Sequence, residues 1–159
     1  MLIDLISLLL QFFLITTGSI LGWFFPDLEA LITAFWTERE HHVSPMIRSY
    51  YKERKFKLLQ YYWVTNRGEY QSLIIHSAFF QLVLTIFCFY IVSSGGSVMV
   101  SFLCLAFLAR LFWEQYHDHK KGTLEKWFWA INLPLTKNFY RVYFGTLGFV
   151  FVFLLYLAF

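Results

Sequence analysis

SLIIHSAFFQLVLTIFCFYIVSSGGSVMVSFLCLAFLARLFW, residues Ser72 to Trp113, carries a single formal charge, Arg110. It divides into two apolar runs, about Ser72 to Val92 and Val98 to Trp113, joined by the uncharged turn Ser93-Ser-Gly-Gly-Ser97. Gly-Gly between serines marks a tight turn. Two helices joined so closely form an antiparallel hairpin and must pack together. A third apolar run, about Val142 to Phe159, closes the chain, and another precedes the hairpin. The first 36 residues hold only Asp4, Asp27 and Glu29 as charges. As one helix they would run about 54 Å at 1.5 Å per residue, longer than a hydrocarbon core of roughly 30 Å. Leu5 to Phe25 therefore reads as the first membrane helix, bent or broken at Pro26. Asp27 to Trp36 then continues as a shorter amphipathic or re-entrant piece.

Composition agrees with this pattern. Of 159 residues, 58% are hydrophobic, 23% aromatic and only 14% charged, more apolar surface than a soluble domain of this length can bury. A net charge of +3, too small and too scattered, points away from nucleic acid. Two Cys, three Pro and eight Gly exclude a disulfide scaffold, collagen and a disordered chain. The expected fold is all-α, a single polytopic membrane domain over 1–159 with about four transmembrane helices (5–25, 72–92, 98–113, 142–159). Charged loops fall at 38–70 and 117–141. Thr123 to Leu133, with Leu124, Trp127, Phe128 and Ile131 at helical spacing, reads as an interfacial helix ended by Pro134.

Asp4 stands where a signal peptide would carry positive charge, so the first helix is expected to be retained. All thirteen basic residues fall on one side of a four-span arrangement. The positive-inside rule makes that side cytoplasmic and puts both termini outside, in an inner (plasma) membrane. Trp36, Trp63, Trp113, Trp127 and Trp129 lie near the same face, as an aromatic belt would. Cys88 and Cys104 read as small buried hydrophobes.

The polar residues gather at that face: His41, His42, His76, His117 and His119, with Asp27, Glu29, Glu38, Glu40, Glu69, Glu114 and Asp118. Either these groups solvate the interface, or they form a metal or acid–base site. His76 and Arg110 are placed deepest. Glu38-Arg-Glu-His41 and Glu114-Gln-Tyr-His117 have the Glu-x-x-His spacing of di-iron bundles, but the last span supplies none of the further carboxylates such a site requires. His76 with His117 offers an alternative haem or quinone site. Local explanations also exist: Asp27 can cap the helix after Pro26, with Glu29 at the positive end of its dipole. Asn66-Arg-Gly-Glu69 has the form of a capping box opening the second span.

The order of three short blocks carries a resemblance. Phe25-Pro-Asp-Leu-Glu29, Asn66-Arg-Gly-Glu-Tyr-Gln-Ser-Leu73 and Phe107-Leu-Ala-Arg-Leu-Phe-Trp-Glu114 resemble the Pro-Asp-(Ile/Leu)-Asp, His-Arg-Gly-x-Thr-His-Ser-Leu and Ser-His-x-x-x-Asp blocks of the small bacterial membrane-bound metal-dependent hydrolases. The likeness covers roughly Gly18 to Glu114. It implies a site built from Asp27, Glu29, Arg110 and Glu114, with Asn66, Arg67, Gly68, Gln71 and Ser72 at family-motif positions. Asn66 and Gln71 replace two family histidines, Arg110 replaces the third, and Glu114 replaces an Asp. A cation at Arg110 repels a metal or substitutes for its charge. The expected site is therefore degenerate, an ion-pair network in which Arg110 meets Glu114, Asp27 or Glu29, with no resident cofactor. Retained hydrolysis would instead need a divalent metal on Asp27, Glu29 and Glu114, with His76 or His117. A fainter resemblance to glutathione-using four-helix membrane proteins lies in Val43-Ser-Pro45, Asn66-x-x-Glu-Tyr70 and Ala109-Arg-Leu111, with Tyr62 where that family expects Arg. The expected partners are the lipid bilayer and other membrane subunits or a second copy, engaged through the Phe-rich last helix, and no nucleic acid.

Overall fold

A computed structural model describes residues 2–70, 73–130 and 136–158. All regular structure among the described residues is helical: α1 (Leu2–Phe24), α2 (Leu28–Ile32), α3 (Ser44–Lys52), α4 (Phe56–Asn66), α5 (Ala78–Ser93), α6 (Val98–Lys121) and α7 (Lys137–Ala158). Three helical stretches, Asp4–Thr37, Val98–Lys121 and Asn138–Ala158, are long and apolar enough to cross a membrane. The chain is an all-α protein of membrane type, as its composition requires.

The bend after the first helix has a local cause. Pro26 lacks an N–H and cannot continue the α-helical ladder. The chain tightens into a 3-10 turn at Phe25–Asp27, and the Leu28 N–H closes on the carbonyls of Phe25 and Pro26. A π-type turn at Thr33–Thr37 follows, closed by Glu38 N donating to Thr33 O at 2.9 Å. The helical path thus bends without ending, and it carries Asp27 and Glu29 past the end of the apolar run.

Two boundaries differ from those the sequence suggests. The second apolar helix begins at Ala78 rather than near residue 72, because the backbone of Ile75 and His76 is drawn to the Glu29 carboxylate and Ser77 caps the helix by accepting from Phe80 N at 3.1 Å. At 16 residues it runs only about 24 Å. The third extends beyond Trp113 to Lys121, where Gly122 adopts a left-handed φ of 73° and closes the end. Lys120 and Lys121 in its last turn suit the negative end of the helix dipole. The expected interfacial helix is instead a 3-10 stretch, Leu124–Phe128, with Leu124, Trp127 and Phe128 buried. Ile131, Leu133 and Pro134 lie outside the described residues. Gly95, at φ 66°, turns the α5–α6 hairpin as expected.

Packing is closest between α1 and α6. Gly18 and Gly22, one helical turn apart, face the backbone of Met99 and Leu103, and a Cβ at either glycine would strike those carbonyl oxygens. Small residues at this spacing let membrane helices approach closely, which strengthens dispersion where the hydrophobic effect is absent. Inside the bundle, Tyr143 Oη donates to Gln81 Oε1 at 2.8 Å and accepts from Gln115 Nε2 at 3.1 Å, tying α5, α6 and α7 together. Two apolar cores result. One joins α5, α6, α7 and the 124–128 stretch; the other joins α2, α3 and α4 around Ala30, Ile47, Trp63 and Tyr70.

Gly22→Leu is expected to separate α1 from α6 and to destabilise the protein by about 1–3 kcal/mol, the usual range for overpacking. Gly148, which has open space around it, should tolerate Ala within about 0.5 kcal/mol. Thermal unfolding in detergent compares the two.

Candidate functional site

Four chain segments converge where the two cores meet. The continuation of α1 brings Asp27 and Glu29, the turn after α4 brings Arg67, and the loop before α5 brings His76. From α6 come Arg110, Glu114 and Asp118, spaced by four so that they share one helix face. Glu29, His76, Glu114 and Arg67 are only 2%, 4%, 5% and 8% exposed, so their charges must be balanced internally.

His76 is the bridge. Its Nδ1 lies 2.5 Å from Glu29 Oε2 and its Nε2 2.5 Å from Glu114 Oε2. Glu29 also accepts the backbone N–H groups of Ile75 (2.7 Å) and His76 (3.1 Å), which fixes the loop against α2. Trp63 and Trp127 flank the ring, with centroids at 6.4 and 5.5 Å. These two tryptophans, expected in an interfacial belt, are buried instead. A carboxylate only accepts hydrogen bonds. With one at each ring nitrogen, the doubly protonated cation is the form that donates to both, while Arg67 Nη1 also lies 3.1 Å from Nε2. Burial opposes that charge, but the bonds to Glu114 and Glu29 outweigh it and raise the His76 pKa above its ordinary value.

Arg67 is the second cation. Nη1 donates to Glu114 Oε2, and Nη2 lies 3.2 Å from both oxygens of Asp118. Asp118 also accepts from Trp127 Nε1 at 2.9 Å. Arg110 is the third cation, stacked 5.2 Å over Trp23. Its Nε is 2.7 Å from Glu114 Oε1, a charge contact off the N–H line that leaves this N–H without an aligned acceptor. Its Nη2 is 3.7 Å from Asp27. Glu114 thus faces three cations.

Asp27, Glu29, Arg110 and Glu114, singled out from the sequence, come together here. Asp27 precedes α2 but makes no side-chain cap and accepts from Gln60 Nε2 at 3.1 Å, while Glu29 lies in the first turn of α2 as expected and its carboxylate turns to the 75–76 backbone. Asn66 closes the end of α4 by donating to Tyr62 O at 2.7 Å, instead of opening the second span. Gly68 contributes its carbonyl, which accepts from Lys126 Nζ. Gln71 and Ser72 lie outside the described residues. His117 is exposed whereas Glu114 and His76 are buried. His42 pairs with Glu69 at 2.6 Å on the surface, and His41 stacks on Tyr70. Sequence reasoning named Arg67 only as a motif position and left Asp118 among interfacial acids. The i+4 step from Glu114 to Asp118 was the available signal.

No family model, curated protein or solved structure matches the chain. The donor set does not fit a divalent metal. Two guanidinium groups already occupy Glu114, and the two nitrogens of His76 point to different carboxylates. Among the described residues no three His, Cys, Asp or Glu side chains are arranged to hold an ion. The arrangement instead stores charge: Asp27, Glu29, Glu114 and Asp118 against Arg67, Arg110 and His76.

With His76 raised, its stabilising contribution is complete below about pH 6.5, the ordinary value, and is lost as pH rises through the raised value. Nitrogen-15 NMR of histidine-labelled protein should find one ring protonated at both nitrogens well above pH 6.5. Glu29→Gln, which removes one of the two carboxylates that raise it, should shift that ring's titration to lower pH, and the wild-type unfolding temperature should fall on the alkaline side.

Proposed function

We propose that this chain is an accessory or structural subunit of a bacterial inner-membrane assembly, built on a hydrolase-like plan whose metal site has become a charge-paired lock. The reading rests on one observation: Arg67 and Arg110 both lie on Glu114, in the place where a metal would need free carboxylates. Two positive charges at that point supply internally what an ion would supply. Its buried members, Glu29, His76, Glu114 and Arg67, are engaged with one another, which argues against their activating water. What it does is hold α1, α4, α6 and the 73–77 loop in one arrangement.

In this reading both termini lie outside, and the Lys- and Arg-rich loops face the cytoplasm. The outward face of α7, where Phe149, Val152 and Tyr156 are exposed, meets lipid or a partner helix.

Elemental analysis of protein purified in mild detergent tests the proposal. The expected result is no stoichiometric metal, an unfolding temperature unchanged by a chelator or by added manganese or zinc, and elution together with partner subunits or as an oligomer. A clean monomer with one metal per chain, lost in Glu114→Ala, would restore the hydrolase reading.

A further inference from the structure

A cavity of about 140 Å³ opens beside the buried charges, lined among others by Arg67, His76, Asp118, Lys121, Lys126 and Trp127. A water molecule occupies about 30 Å³ of liquid, so this volume admits a tetrahedral oxyanion with part of the group that bears it. Among the described residues, four basic side chains line the wall and Asp118 is the only acid on it.

The deep cation and the acid are already committed. Arg67 is taken by Glu114 and by both oxygens of Asp118, and Asp118 also holds Trp127 Nε1. The unanswered charge therefore sits at the two lysines. Lys126 Nζ reaches the Gly68 carbonyl, which uses one of its three donors. Among the described residues neither Lys121 nor Lys126 is paired with a carboxylate. The backbone of each is set by structure: Lys121 ends α6 just before the left-handed Gly122, and Lys126 lies in the 3-10 stretch that Trp127 anchors to Asp118. Tyr70, Leu73 and Trp127 give the cavity an apolar side.

We propose that this cavity binds the phosphate group of an organic phosphate, with the oxyanion held between Lys121 and Lys126 and the ester's carbon part against Trp127 and Tyr70. Lysine binds phosphate as a mobile point charge, and two of them match a phosphate monoester's charge. Glu69 and Glu125, in the shallow groove that shares Lys126, repel extended polyanions and limit the site to a single phosphate group. An anionic lipid headgroup and a soluble phosphate ester share this chemistry. The site stands apart from the accessory role: metal content decides that role, and anion binding decides this one.

The test uses the full chain, once in mild detergent with inorganic phosphate or chloride at matched ionic strength, and once in phosphatidylcholine nanodiscs with or without phosphatidic acid. Phosphate is expected to raise the unfolding temperature saturably where chloride does not. A rise with phosphate in detergent assigns a soluble ligand, and a rise with phosphatidic acid alone assigns a headgroup. Either rise should be lost in Lys121→Gln/Lys126→Gln, whose exposed positions lie outside the buried network, and reduced in Lys121→Gln alone. If neither phosphate nor phosphatidic acid exceeds its control, or if the double variant keeps the full effect, the proposal is wrong.

Discussion

The contact of Glu114 with Arg67, Arg110 and His76 is the constraint on which the rest of the structure depends. A single carboxylate 5% exposed is tolerable only if cations reach it, and the three that do come from three separate segments. Satisfying it therefore fixes the end of α4, the loop before α5 and the face of α6 relative to one another. Glu29, bound to His76 and to two backbone N–H groups, extends the same constraint to the continuation of α1. Close glycine packing sets how α1 meets α6 along its length, and the charges set where its far end goes.

Such a network is poor evidence for stability as such, since desolvation offsets much of the attraction, and well-packed apolar residues often do as well. Its value lies in specificity. Leaving any member unpaired costs several kcal/mol, so alternative packings of these apolar helices, which dispersion alone separates weakly, are excluded by their stranded charges. The same logic explains the chemistry: a carboxylate contacted by two guanidinium groups and an imidazole is a held charge.

Much of this was legible in the sequence. The turn Ser93–Ser97 and its flanking runs define the α5–α6 hairpin, Pro26 marks the bend, and the blocks at Asp27–Glu29 and Arg110–Glu114 name half of the charged cluster. The start of α5 was not legible. Residues 73–77 are apolar enough to continue the helix, and it takes the long-range pull of Glu29 on the Ile75 and His76 backbone, with the Ser77 cap, to draw them out. Arg67 was hidden for a similar reason: it lies among six other basic residues before α5, and nothing local says that this one turns inward. Asp118 read as a surface charge because α6 was taken to end at Trp113. Trp63 and Trp127 read as belt residues because sequence alone cannot tell a tryptophan at the lipid interface from one packed against a buried imidazole.

The most direct measurement is a double-mutant cycle on Arg67→Met and Glu114→Gln, with stability read from reversible unfolding in mixed micelles. Each single change should destabilise by about 3–5 kcal/mol, since it strands buried charge. The double change should cost less than the sum by about 1–3 kcal/mol, the coupling expected of residues sharing one network. Costs that simply add would show that Glu114 and Arg67 are not held by each other and would contradict the charge-paired lock.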